Sequence, residues 1–395
     1  MGVSIGSSSI SAKPQTPSQN TAANVWDIVR EEYVADNFNF NEWQRQRQTL
    51  VDRDDSNAET TYQAIQVALA SLDDPYTRFL TPKQFARVRR SPGGAAANGV
   101  MLLRDERDRL VVSAPPSLEG AAAKAGLRRG DVILSIDGTS TANLDASEAA
   151  SFMLANEDLP VALSIEREGE LIEVLLECPP LDRRADVTHT VRREGDREIG
   201  YLRITQFRQK TAQRVRDAVA SLEEAGVTAY VMDLRANSGG LVEASTAIAD
   251  MFLSGGDIVT IEGRSGVLKH YEADSYTLTD KPVALIVDRG TASSSELLAA
   301  ALQDRDRAIA IGARTFGKGI VQSIYTLPDQ SSLSVTIAHY RTPDGRIIHD
   351  RGLEPDVWVE LSERDRDRLS RQQELVATAA DPQYAVAVAS LTEME

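Results

Sequence analysis

The chain has 395 residues, 42% apolar and 26% charged, with a net charge of −16 and a pI near 4.9. That profile describes a globular protein of two or three domains, and its negative charge argues against nucleic acid and anionic lipid as partners. A single cysteine, Cys178, excludes an internal disulfide and a Cys-rich metal site. His189, His270, His339 and His349 form no i, i+4 pair and no H-E-x-x-H, so a zinc enzyme is not expected.

Residues 1–22 lack the basic start and apolar core of a signal peptide, and Gly6 breaks the myristoylation pattern begun by Met1-Gly2. They read as a disordered leader, or as the remnant of a removed or replaced targeting segment. No apolar run reaches the length of a membrane span.

Residues 23–90 read as a helical domain. Val25, Ile28, Val29 and Tyr33 share one helical face, and Tyr62, Ile65, Leu69 and Leu72 share another. Turns follow at Pro75 and Pro82, and "SPGGAAANG" marks a boundary. Residues 91–179 then read as a small β domain. Its strand-like runs are "GVMLL", "RLVVSAP", "GDVILSIDG", "PVALSIERE" and "LIEVLLE", with short helices at "SLEGAAAKAG" and "NLDASEAASFML".

From residue 180 to 360 strands and helices alternate, which implies an α/β core of stacked βαβ units. The tail, 361–395, is charged and reads as peripheral.

Three stretches of the core could carry chemistry. In "DLRANSGG" a strand ends and Gly239-Gly240 opens a helix, where outward-pointing amides suit a phosphate or an acyl-transfer oxyanion; many βα turns share this feature. In "GTASSSELLAAALQD" three serines lie beyond another strand. Ser293-x-x-Glu296 fits a capping box, which alone accounts for one serine. Both stretches follow strand ends, so they could face one crevice. In "RTFGKGIVQ" Lys318 lies between glycines beside Phe316, a setting in which desolvation would make it a general base; surface lysines on glycine loops are common. Gln322, four residues on, could orient that amine.

The string "AAKAGLRRGDVILSIDGT" resembles the PDZ domain, which captures peptide C-termini by strand addition. The groove would be formed by Gly99, Val100, Met101 and Leu102, continuing to Leu103, with a helix at 144–154. Met101 stands where the PDZ loop usually has its second glycine. The alternative is a PDZ domain used as a spacer.

Taken in order, "SLDDPYTRFL", "GLRRGDVILSIDGT", "DLRANSGGLVEA", "DRGTASSSELLAAALQD", "RTFGKGIVQ" and "YRTPDGRIIHDRGLEPDV" resemble the carboxy-terminal processing peptidases, tail-specific serine proteases with a PDZ domain. The resemblance runs from about residue 25 to 360 and is nearest the branch of cyanobacteria and chloroplasts. It implies a multidomain α/β and α+β protein with a crotonase/ClpP-like ββα core. It implies Ser293 as nucleophile, Lys318 as base and Gln322 as the third member, with no metal and no cofactor needed. Oxyanion donors would be the amides of Gly239 and Ser294, where Ser294 replaces the family's alanine and could compete for Lys318. Ser294 or Ser295 would then help to start the helix.

The implied partner is the C-terminal tail of a protein substrate, here the extension of a photosystem II reaction-centre precursor. Membrane contact would be only peripheral, through a membrane-protein substrate, and the chain is expected as a monomer in the thylakoid lumen or periplasm. Two rivals remain: a broad tail-specific envelope protease, and a non-catalytic PDZ scaffold in which Ser293 only caps a helix. The joint presence of Ser293, Lys318 and Gln322 speaks against the scaffold.

Overall fold

The computed structural model describes residues 17–34, 38–51, 57–90 and 186–393, together with 100–177 except positions 106, 108, 119, 143, 145, 147–148, 150–152 and 154–159. It divides into two compact units, 1–86 with 322–337, and 87–321 with 338–395.

The first unit is built on helices Pro17–Glu32, Phe40–Val51 and Ala58–Ala70. The first helix starts at Pro17, so residues 17–22 are helical where the sequence suggested a disordered leader. Proline suits a helix start because its missing N–H would have no partner there. Trp26 and Trp43 lock two helices together: each indole N–H donates to the other's carbonyl oxygen, at 2.9 and 3.1 Å. Their rings join Val25, Val29, Ile65 and Leu69 in one core.

That core is closed by a segment far along the chain. Strand Arg78–Leu80 pairs antiparallel with Ser332–Ser334, and Leu333 and Val335 enter the helical core. Asp74 fixes the join. Its carboxylate accepts the Tyr76 N–H at 2.8 Å and the hydroxyls of Thr77 and Thr336, each at 2.7 Å.

The second unit contains the PDZ domain. Its antiparallel sheet runs in the order Leu102–Arg104, Leu110–Val112, Val132–Ile136, Val161–Arg167, Glu170–Leu176. Alternation puts Leu110, Val112, Leu163 and Ile165 into one apolar core. The "RRGD" string is a staple. Asp131 is buried and takes both Arg167 Nε and Nη2 at 2.7 Å, plus the Arg128 N–H at 2.8 Å. A bidentate Arg–carboxylate pair of this kind fixes geometry as well as charge.

The α/β core is a six-stranded sheet in the order Val357–Trp358, Ala308–Gly312, Val283–Val287, Ala229–Asp233, Arg197–Ile204, Val187–Glu194. All neighbours are parallel except the last pair. Strands Ala229–Asp233 and Val283–Val287 are buried at every residue, as expected for parallel strands covered on both faces. Helices Thr211–Glu224, Val242–Phe252 and Ser294–Asp304 follow strands of this sheet. A hairpin of Gly256–Gly263 and Gly266–Ala273 pairs through residues 260–263 with 338–341.

The tail is not peripheral. Helix Pro382–Glu393 buries Tyr384, Ala387 and Leu391 in the same cluster as Ala284, Ile286 and Ile311. Most of the charges that suggested exposure lie in the preceding helix, Glu363–Arg371, yet Arg366 there and Asp381 beyond it turn inward, to Asp288 and Arg235.

Candidate active site

Two parallel neighbours carry the site. Strand Ala229–Asp233 leads into the Asn237–Gly240 turn, and strand Val283–Val287 leads into Asp288–Ser293. Asp233 is in register with Ile286, so both turns leave the same edge of the sheet.

The turns are bonded to each other. Ala292 N–H donates to Asn237 O at 2.9 Å, and Thr291 Oγ1 donates to Leu234 O at 2.9 Å. Asp288 Oδ1 takes the N–H of Ala236 at 2.8 Å and of Gly290 at 2.9 Å. Ser294 Oγ donates to Gly240 O at 2.9 Å, and Ser295 Oγ donates to Asn237 O at 2.7 Å. These two hydroxyls brace the glycine turn rather than starting the helix, and the Ser294 hydroxyl is spent on Gly240. The helix start is held instead by Glu296, whose Oε2 accepts the Ser293 N–H at 2.9 Å.

Gly239 fits the site only as glycine. Its φ is +102°, and a Cβ there would lie 2.9 Å from Ser293 Cβ and 3.0 Å from Ser294 N. The Gly239 N–H donates to Asn237 Oδ1 at 3.0 Å, while Asn237 Nδ2 donates to Ile204 O at 3.0 Å. The Ser294 N–H belongs to the first helical turn, where amides have no intrahelical acceptor.

Ser293 has φ 56° and ψ −122°, a conformation that a residue with a Cβ adopts only under constraint. Such strain concentrates at functional sites, where the surroundings over-determine it. The surroundings here are Glu296, Gly239 and the bonded turns.

Glu296 is fully buried and collects four donors: the N–H groups of Ser293 (2.9 Å), Gly317 (2.7 Å) and Lys318 (2.8 Å), and Thr315 Oγ1. Burial raises its carboxyl above the ordinary glutamate value, and the four hydrogen bonds act against that rise without cancelling it. The glycines around Lys318 have a packing reason. A Cβ on Gly317 would lie 2.9 Å from Gly352 N, and one on Gly319 would lie 2.5 Å from His349 N. The loop at 348–352 therefore presses against the backbone on either side of the half-buried Lys318.

Tyr340 was not singled out by sequence reasoning. It is buried, and its N–H donates to Gly319 O at 2.9 Å. Burial raises the phenol well above its usual range, and the neighbouring Ser293 side chain opposes that rise. Its sequence context, "TIAHYRTPDG", is that of an ordinary strand, and only the fold brings it to Ser293.

Gln322 belongs to the first unit. Its Nε2 donates to Tyr76 O at 2.8 Å and to Ser334 Oγ at 2.9 Å. In the PDZ domain, Val100 and Leu102 are buried in the core and Met101 is half-buried between them. Met101 O accepts from Ser113 N–H at 2.8 Å. Strand Leu102–Arg104 ends the sheet order, which suits strand addition. Gly99 and most of the expected groove helix lie outside the described residues; of that helix, Leu144, Ala149 and Met153 are buried in the PDZ core.

Comparison with known proteins gives this geometry a family. The profile of peptidase family S41 matches residues 198–359, and a PDZ-domain profile matches 113–167. The chain is 36% identical to the carboxyl-terminal-processing protease of Synechocystis sp. over 392 residues, covering 97% of this chain and 88% of the relative. It is 34% identical to the chloroplastic C-terminal processing peptidase of Tetradesmus obliquus over 366 residues, covering 88% and 79%. Among solved structures, it superposes on a photosystem II D1 C-terminal processing protease with a TM-score of 0.76 and 31% identity, covering 94% of this chain and all of that one. The chain belongs to peptidase family S41 and is a C-terminal processing protease of the serine type.

Proposed function

We propose that Ser293 is the nucleophile and Lys318 its general base, and that the protein matures a photosystem II D1 precursor by removing its C-terminal extension. One observation carries the catalytic part: a single buried carboxylate, Glu296, takes the backbone N–H of both Ser293 and Lys318. A residue that only capped a helix would not need its strained turn tied to a distant lysine loop.

In the proposed reaction Lys318 accepts the Ser293 proton as Oγ attacks the scissile carbonyl. The amides of Ser294 and Gly239 hold the oxyanion, and the Gly239 N–H must then be shared with Asn237 Oδ1 or released from it. The lysine ammonium protonates the leaving amine, and water resolves the acyl-enzyme. Gln322 is assigned by family resemblance as the residue orienting the amine. Both its N–H donors serve Tyr76 and Ser334.

The PDZ domain, residues 91–179, would hold the substrate tail by strand addition along Val100–Leu102. The D1 assignment is supported by the cyanobacterial and chloroplast relatives and the D1-processing structure, and it is consistent with the thylakoid lumen, the periplasm being the alternative for a broader tail-specific protease. Incubating the chain with D1 precursor and mapping products by mass spectrometry tests both parts. Cleavage at the extension is expected, with none by Ser293→Ala or Lys318→Ala. Near wild-type turnover by Lys318→Ala would reject the dyad, and an uncut precursor beside a readily cut unrelated tail would reject the substrate.

A further inference from the structure

The seam between the PDZ domain and the protease core holds a cavity of about 220 Å³. A water occupies about 30 Å³ of liquid, so this is room for one amino-acid residue. One wall is apolar, made of Pro115, Pro116, Leu118, Leu127 and Leu361. The other carries four guanidiniums, Arg128, Arg129, Arg289 and Arg366, against three carboxylates, Glu360, Glu363 and Asp367, so it keeps an excess of positive charge in a chain of net charge −16.

Those guanidiniums are unevenly paired. Arg289 Nε bonds Glu360 at 3.0 Å, and Arg128 lies 3.4 Å from Asp367 and 3.5 Å from Glu363. Glu360 thus serves Arg289 while Arg366 and Arg129 also stand in its field, and its carboxyl is held below the ordinary range. Two of the guanidiniums keep a buried nitrogen with no hydrogen-bond partner among the described residues, Arg128 Nε and Arg366 Nη2. The carboxylate of Asp288 is 4.0 Å from Arg366. A buried, unpaired guanidinium nitrogen is costly unless a ligand completes it.

We infer that this cavity binds a small carboxylate with an apolar side chain, the chemistry of a peptide's C-terminal residue, with the carboxylate on Arg366 and Arg129 and the side chain on the proline–leucine wall. The site shares no lining residue with the PDZ edge strand, and of the Ser293 turn it takes only Arg289. It nevertheless backs onto that turn. Asp288, which faces Arg366, holds the amides of Ala236 and Gly290 through its other oxygen. The inference does not depend on the Ser–Lys assignment, because its readout is binding alone.

The test is calorimetric titration of the full chain with N-acetyl-leucine, N-acetyl-leucinamide and sodium acetate. Saturable binding of N-acetyl-leucine is expected, with at least about tenfold weaker binding of the amide, which lacks the charge, and of acetate, which lacks the side chain. Arg366→Gln should weaken N-acetyl-leucine about tenfold or more. Arg129→Gln, at an exposed position where misfolding is not expected, should weaken it several-fold. Equal binding of acid and amide, no binding of the acid, or unchanged affinity in both arginine variants would overturn the inference.

Discussion

The backbone N–H groups of Ser293 and Lys318 share one acceptor, Glu296 Oε2, at 2.9 and 2.8 Å. Twenty-two residues of chain separate Glu296 from Lys318, yet one buried oxygen fixes both backbones. The other oxygen holds Gly317 and Thr315. A single carboxylate therefore sets the spacing between the backbones of the proposed nucleophile and the proposed base.

Glu296→Gln keeps the shape but exchanges an acceptor oxygen for a donor, so two of the four donors lose their partner. Each buried donor left unpaired costs ~1–3 kcal/mol. A fall in kcat of about a hundredfold is expected with little change in KM, because the loss is in catalytic geometry. The sign of the pH effect follows from burial. Glu296 has a carboxyl raised in the folded state, so its contribution to stability is fully present below the unfolded value of ~4.3 and is lost as pH rises through the folded value. The stability of the wild type relative to Glu296→Gln should therefore increase from pH 7 to pH 4. Urea midpoints of both proteins across that range measure it, and a gap that shrinks on acidification would refute the direction.

Gly239→Ala would place a methyl against Ser293 Cβ and Ser294 N at φ +102°. Something must shift, and what shifts is the turn carrying the proposed nucleophile and both proposed oxyanion amides. Loss of one such donor costs ~3 kcal/mol, so kcat should fall 10²- to 10³-fold. Single-turnover kinetics with the D1 precursor tail would locate the loss in acylation; a defect confined to KM would contradict the placement.

Much of this site was legible in the sequence. The two strand ends, Gly239, Ser293 and Lys318 were marked by local strings whose glycines demand special backbone. Tyr340 was not legible, because nothing within "AHYR" distinguishes it and its meeting with Ser293 depends on long-range strand pairing. The same cause hid the return of residues 332–337 into the helical unit. The tail misled for a different reason: its charges were counted over a whole segment, whereas burial follows one face of one helix. The serine run was only half read. Its neighbours were expected to cap a helix, but short hydroxyls that lie 2.9 and 2.7 Å from carbonyls of the facing turn donate there instead.

That cross-bracing separates Ser294 from Ser295. Ser294→Ala restores the family's usual residue and removes only the bond to Gly240 O, so a loss of about 0.5–1 kcal/mol and nearly full activity are expected. Ser295 is wholly buried, and its Oγ holds the same Asn237 carbonyl that receives Ala292. Ser295→Ala should cost about 1–2 kcal/mol and slow turnover, because the Asn237 turn loosens. Equal effects of the two alanines on kcat would show that the braces do not position the turn.

Behind the site, Asp233 supplies the opposite pH signature from Glu296. It is fully buried, and burial acts to raise its carboxyl. The charges of Arg203 and Arg235 outweigh burial and hold it well below the ordinary range, with Tyr201 Oη donating at 2.6 Å. A depressed carboxyl contributes stability that is present above the unfolded value near 3.9 and disappears as pH falls through the folded one. Asp233→Asn leaves two buried guanidiniums short of charge, a loss of ~3–5 kcal/mol at neutral pH. The gap between wild type and Asp233→Asn should be widest near neutrality and narrow on acidification below about pH 4. Because the Glu296→Gln gap moves the other way, one set of urea titrations on three proteins distinguishes a carboxylate held by charge from one held by neutral donors. If both gaps moved in the same direction, the assignment of burial as the winning effect at Glu296 would fail.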